Sequence, residues 1–268
     1  MKKGTLWNMM KNEIVYWLLI LALSSFFLYL TTQGVSHRLL IAVGVLNLLL
    51  LETWFIRAFL LFSGRKVSQY SEIIQRISLK DRFFDYFIFP VLFLTTFMFF
   101  LYFNKNILMS YLVTAFCMIV LMILFVNIKS SLKKVYRISS LTKGIFSLIC
   151  ILSFYLSINV ILRFDINIWV KLLISGGLAL IMFLSELQLH DRLTFGSFLL
   201  SFLSSLFVAL SIGAFVYQSI FVATAIGTVS FYIIVALWNV RFSGKYKFVD
   251  YLSPLLYGII TLILIFNL

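Results

Sequence analysis

Apolar residues run along this chain in blocks close to twenty long, separated by short polar stretches that hold most of its charge. The blocks fall at 14–32, 39–62, 83–103, 107–127, 144–163, 168–188, 196–216, 219–239 and 250–267. A helix rises about 1.5 Å per residue, so a block of this length reaches across a hydrocarbon layer about 30 Å thick. No water is present there for the backbone, so the segments are expected to be α-helices, which satisfy their N–H and C=O groups internally. The pattern predicts an all-α, polytopic transmembrane bundle of about nine spans, forming a single integral membrane domain over 1–268.

The ninth block decides the count. Ser253-Pro254 has the form of an N-cap followed by Pro at the first helical position. A helix starting there has only about 14 residues, short for a span, whereas one starting near Phe248 is long enough. Nine crossings place the two termini on opposite sides; eight place them on the same side.

The polar breaks fix an orientation. Starting with the N-terminus inside, the inner segments hold Lys2, Lys3 and Lys11; Arg65, Lys66, Arg76, Lys80 and Arg82; Lys129, Lys133, Lys134, Arg137 and Lys143; Arg192; and Arg241, Lys245 and Lys247. The outer loops hold Arg38, Lys105 and Arg163, and Arg57 and Lys171 lie within blocks. That asymmetry is the positive-inside pattern, and it predicts a cytoplasmic N-terminus in a cell membrane. The first block follows basic residues, as in a secretory signal, but no small-residue cleavage site follows Leu28, so it is expected to remain as a span.

Composition agrees with a lipid solvent. The chain is 63% hydrophobic and 12% charged, with mean hydropathy +1.09, 30 Phe and 13 Tyr; a soluble domain carries about 25% charged residues. The net charge of +13 would suggest nucleic acid in a soluble protein. Here it sits in short loops, where it orients the spans and attracts anionic headgroups, so nucleic acid is not expected as a partner. Cys117 and Cys150 lie inside apolar blocks without metal or redox spacing, and are expected to be small buried residues.

The longest inner loop, 64–82, carries Tyr70, Ile73, Ile74 and Ile77 at i, i+3, i+4 and i+7. This predicts a short amphipathic helix on the inner membrane surface, with Ser78 to Asp81 resembling a capping box that starts span three.

Few residues offer chemistry. Glu52 sits near the centre of span two, where a carboxylate costs several kcal/mol (about 2.5–3.5 on insertion scales) unless protonated, paired or hydrated. It is therefore expected to face the bundle interior, as a proton or cation site, a ligand for a basic or hydroxylated group, or a hydrogen-bond hub between helices. Asn47 lies on the same helix but about 140° around it, a poor direct partner. Arg57 has the same offset from Glu52; it is expected either to reach for the inner interface or to pair with Asp85 at the start of span three. Pro90 predicts a kink in span three.

Span seven carries Ser197, Ser201, Ser205, Ala209 and Gly213 in an unbroken stripe of small residues, and span eight adds Ala223 and Gly227 with Thr224 and Thr228. Such stripes let helix backbones approach closely. They predict a tight seam of span seven against another helix, with span eight the first choice and a homodimer the alternative. His37 and His190 lie in loops on opposite sides and cannot share a metal. There is no Walker sequence, GxSxG elbow or HExxH. No catalytic set, metal site or cofactor is expected.

The inner loops after spans two and six hold Glu72, Asp81 and Asp85, and Glu186 and Asp191. Nine spans with the N-terminus inside and acidic residues in these two loops resembles, in architecture, the UbiA-type membrane prenyltransferases. The resemblance implies magnesium and a diphosphate held by those loops; the family's closely spaced aspartates are absent here. Three functions follow as expectations: transport or lipid handling within the bilayer; a non-catalytic membrane subunit for assembly, anchoring or immunity, acting through a partner protein; and a membrane-embedded transferase.

Overall fold

A computed structural model describes residues 3–62, 64–66, 74–76, 87–133, 140–189, 194–242 and 247–266, with side chains over 13–61, 87–129, 143–188, 194–242 and 247–265. The protein is a bundle of apolar helices. They are α1 (Lys3–Thr32), α2 (His37–Phe62), α3 (Phe89–Phe103), α4 (Ile107–Lys133), α5 (Ser140–Arg163), α6 (Ile168–Leu189), α7 (Phe195–Phe215), α8 (Ile220–Phe242) and α9 (Phe248–Phe266). Eight of these are long and apolar enough to cross a membrane. The short one is α3, with 15 residues described, and not the last: α9 starts at Phe248 and takes Pro254 into its interior.

Polar side chains at the block edges start and stop the helices. α1 ends in a Schellman turn in which Val35 N–H bonds Leu30 C=O and Gly34 N–H bonds Thr31 C=O. Gly34 takes φ 64°, a left-handed conformation open to glycine. Asn106 Oδ1 accepts from Met109 N–H, and Asn167 Oδ1 from Trp169 N–H, capping α4 and α6. Thr194 and Ser197 form a reciprocal capping box at α7. Ser197 therefore serves the helix start, while the packed part of the stripe begins at Ser201.

Pro90 lies in the first turn of α3, preceded by π-helical residues Phe87 and Ile88. The extra backbone slack of a π-turn accommodates a residue that cannot donate a hydrogen bond. Most of the amphipathic stretch expected at 64–82 lies outside the described residues. The parts that are described, β1 (Gly64–Lys66) and β2 (Ile74–Arg76), are extended and pair antiparallel, with Arg65 opposite Gln75.

The helices form two compact units, residues 1–146 and 147–268. In the first, α1 to α4 enclose an aromatic core: Trp54 stacks on Phe125 at 4.1 Å, and Phe55 meets both edge-on at 5.5 Å. The Trp17 indole donates to Met118 C=O across α1 and α4. In the second unit, α6, α7, α8 and α9 pack in sequence order. Phe231 of α8 stacks on Phe154 and also lies against Phe183, both at 4.6 Å.

Small residues make the second unit's packing close. A Cβ on Gly176 would lie 3.4 Å from Ala209 Cβ, and one on Gly213 only 3.0 Å from Leu172 Cδ1. The stripe of Ser205, Ala209 and Gly213 thus runs against α6. On α7's other flank Ile212 fills the space over Gly227 of α8, where a Cβ would sit 2.4 Å from Ile212 Cγ1. Ser201, Ala223 and Thr224 are fully buried.

Candidate functional site

Three features of the first unit have chemical content: a groove, a buried polar contact and a small charged cavity.

The groove, about 400 Å³, lies among Phe27 of α1, the face His37, Leu40, Ile41, Gly44, Val45 and Leu48 of α2, and Thr95, Met98, Phe99 and Tyr102 of α3. Its α2 residues follow the three-to-four spacing of one helix face. Gly44 keeps the wall recessed: the nearest atom to a Cβ there would be Met98 Cε, at 4.0 Å. The lining is almost wholly apolar, and Ile41, Val45 and Phe99 at its edge are exposed. From His37 to Leu48 is eleven residues, about 16 Å along the helix, or about half the hydrocarbon thickness. His37 and Tyr102 meet edge-on at its mouth with ring centroids 6.0 Å apart. Loop charge assigns that mouth to the outer face, where amphipathic aromatics settle.

Asn47, fully buried, donates through Nδ2 to Ser24 Oγ at 2.9 Å and faces Met98 Sδ at 3.8 Å. It ties α2 to α1 and α3 beside the groove. Its Oδ1 has no partner among the described residues.

The cavity, about 20 Å³, lies toward the other end of the unit among Glu13, Tyr16, Trp54, Arg57, Ala58, Leu61 and Phe125. Lys129 Nζ reaches both Glu13 carboxylate oxygens at 2.7 Å. Arg57 lies over the Tyr16 ring, 5.6 Å from its centroid.

Glu52 departs from expectation. It is only half-buried, flanked on α2 by the exposed residues Leu49, Thr53 and Ile56, and its carboxylate has no hydrogen-bond or ion-pair partner among the described residues. It shares neither Asn47's contact nor Arg57's cavity, in keeping with the angular offset of both residues from it on α2. Asp85, and with it the Arg57–Asp85 pairing, lies outside the described residues.

The second unit holds an acid that the sequence grouped with the inner loop after span six. Glu186 is buried and accepts a hydrogen bond from Ser147 Oγ at 2.8 Å. Near the opposite end Lys171 donates to Leu162 C=O, while Arg163 donates through Nε to Asn159 and lies over Phe221. Cys117 and Cys150 are buried free thiols. Among the described residues no cluster of His, Cys, Asp or Glu could hold a metal; Glu72, Asp81, Asp191 and His190 lie outside them.

No protein family, curated protein or solved structure matches the chain.

Proposed function

We propose that this integral membrane protein handles lipids, taking a chain of an outer-leaflet lipid sideways into the groove between α2 and α3, within a cytoplasmic membrane. The observation that carries this is the groove itself: about 400 Å³ of apolar space, edged by the exposed Ile41, Val45 and Phe99 and ending at a His–Tyr pair. Unoccupied, its walls would forfeit dispersion contacts along the whole cleft, and the molecules at hand to fill it are lipid chains. A mouth at the headgroup level and a depth of half the bilayer fit one acyl or isoprenoid chain with its polar end outside. Transport or transfer of such a lipid follows if the chain exchanges.

Gly44→Phe tests this. The substitution grows into the groove where the nearest atom is 4.0 Å from the new Cβ, so it should fill the space without parting the helices. Native mass spectrometry of the wild-type chain in mild detergent should show a retained lipid. Gly44→Phe should lose it with its melting temperature unchanged. Equal lipid retention by both proteins would remove the groove from the reading.

A second reading, a non-catalytic subunit bound to a partner membrane protein or to a second copy, is favoured by Glu52. A mid-span carboxylate that faces outward needs a donor from outside the chain. Loss of a co-purifying protein in Glu52→Gln would support it.

A further inference from the structure

We infer that the cavity between α1, α2 and α4 at the inner end of the first unit is a binding site for a phosphate group. Its donors outnumber its acceptors. The Glu13 carboxylate is neutralised by Lys129, which holds both oxygens at 2.7 Å. Arg57 remains as a cation with no carboxylate partner among the described residues. Its guanidinium carbon stands 5.6 Å from the Tyr16 ring centroid, and a guanidinium beside an aromatic ring keeps several N–H donors for an acceptor. Trp54 lines the same cavity, is 1% exposed, and its Nε1–H has no acceptor among the described residues. An indole nitrogen can only donate. A buried donor without an acceptor is costly, and one of them beside a half-buried guanidinium at the same cavity calls for a ligand that supplies oxygens and negative charge.

Water answers half of that demand. The cavity, about 20 Å³, exceeds the roughly 10–15 Å³ that one water needs, and a water would accept from Trp54 while leaving the guanidinium charge uncompensated. Phosphate oxygens accept from both groups, and guanidinium meets phosphate with paired, charge-assisted hydrogen bonds. Depth agrees. Arg57 is five residues from the end of α2 at Phe62, about 7.5 Å along the helix, so the site lies near the inner headgroup layer where loop charge places that end. The small volume takes in phosphate oxygens and leaves the rest of the molecule outside. The phosphate can come from an inner-leaflet phospholipid or from free inorganic phosphate.

The test uses the full chain in mild detergent. Native mass spectrometry titrates dioleoyl phosphatidylglycerol against dioleoylglycerol, which has the same chains without the phosphate. A thermal-shift series compares millimolar phosphate with chloride at equal ionic strength. Arg57→Gln should weaken phosphatidylglycerol roughly tenfold or more and leave dioleoylglycerol unchanged. Trp54→Phe keeps a ring against Phe125, and should weaken the same lipid by a smaller factor. If the phosphate series alone responds to Arg57→Gln, the site stands and its ligand is the free ion. The proposal is overturned if neither ligand responds, as for a cavity holding water only. It is also overturned if Trp54→Phe has no effect, or if Lys247→Gln, a change at an exposed lysine elsewhere, weakens the lipid as much as Arg57→Gln. The phosphate thermal-shift series reads this site with no lipid chain present, which separates its outcome from that of the groove.

Discussion

The closest packing between α7 and α8 gives a prediction whose size follows from geometry. Gly227→Ala places a methyl 2.4 Å from Ile212 Cγ1 and 2.9 Å from its Cδ1. Carbon pairs rest at about 3.5–4.0 Å, so the groups must separate by more than about 1 Å. Ile212 is fully buried, and a β-branched side chain in a helix has essentially one χ1 rotamer, so the helices have to part. Overpacking of this kind costs about 1–3 kcal/mol, offset by about 0.5–1 kcal/mol of helix propensity gained on replacing glycine. The net expectation is a loss of up to about 2.5 kcal/mol. Gly177 of α6 supplies the control: a Cβ there meets nothing within 4 Å, so Gly177→Ala should be neutral or stabilising. Ile212→Ala supplies the rescue, because it removes Cγ1 and Cδ1 and leaves the Ile212 Cβ 3.9 Å from the new methyl. On its own that change costs about 2–5 kcal/mol. In its background only the propensity gain remains, so Gly227→Ala should stabilise by about 0.5–1 kcal/mol, a coupling of about 1–3 kcal/mol. The assay is unfolding of the purified protein by increasing SDS in mixed micelles, followed by circular dichroism. If Gly227→Ala behaves like Gly177→Ala, or if the double variant shows simple additivity, the contact is not there.

Other contacts give further expectations. Removing either partner of the Glu13–Lys129 pair, each side chain 18% exposed, should cost about 1–3 kcal/mol, between the values for exposed and buried pairs. The double variant Glu13→Gln/Lys129→Gln should cost less than the sum in the same unfolding assay, and strict additivity would show that the pair contributes nothing. Glu52→Gln should change the stability of the isolated chain by no more than about 0.5 kcal/mol, since no partner among the described residues is lost; a larger loss in SDS unfolding would reveal a partner inside the chain. Gly213→Leu should destabilise the isolated chain by about 1–3 kcal/mol or more, because Leu172 Cδ1 is 3.0 Å from the position of the new Cβ. An isolated Gly213→Leu chain as stable as the wild type would mean that the stripe serves only an external partner.

How far the sequence is legible depends on what each signal encodes. Lengths and ends are encoded in hydrophobicity and caps: the block at 168–188 becomes the helix Ile168–Leu189 after Asn167, and the block at 196–216 becomes Phe195–Phe215 after Thr194. Which face of a helix points inward is not encoded in the same way. Lipid is as apolar as a protein core, so inward and outward faces of a span carry similar residues and the usual amphipathic signal vanishes. Glu52 shows the consequence, since its charge suggested an interior position while the helix leaves it half-buried beside exposed Leu49, Thr53 and Ile56. Small residues do mark direction, because only they permit close backbones, and the stripe on α7 was readable for that reason. Its partner was not: the stripe meets Leu172 and Gly176 of α6, while α8 packs on α7 through Ile212. Long-range polar contacts were illegible. Glu13 and Lys129 are 116 residues apart and each has an ordinary local explanation, one as part of a charged N-terminus and the other as a topology signal. Asn47 could be picked out as polar, but not its contact with Ser24, 23 residues earlier.

The two units are built from different materials, and this bears on where a lipid could be accommodated. In the second, glycines at 176, 213, 227 and 258 each face a side-chain atom at 2.4–3.4 Å from a would-be Cβ. Helices that close in this way interlock along their length and leave little room for a guest. In the first, Gly44 faces its nearest atom at 4.0 Å, and the helices are held by large aromatics and a few directed polar bonds: Asn47 to Ser24, Trp17 to Met118, and Glu13 to Lys129. Such bonds fix helices at points and leave spaces between the points. The groove lies on the outer side of Asn47 and the charged cavity on the inner side of Trp54, so both candidate sites occupy the intervals that point-wise fastening leaves open. A protein that admits lipid, as proposed for this one, needs one part that does not close on itself, and the more open packing here is that of the first unit.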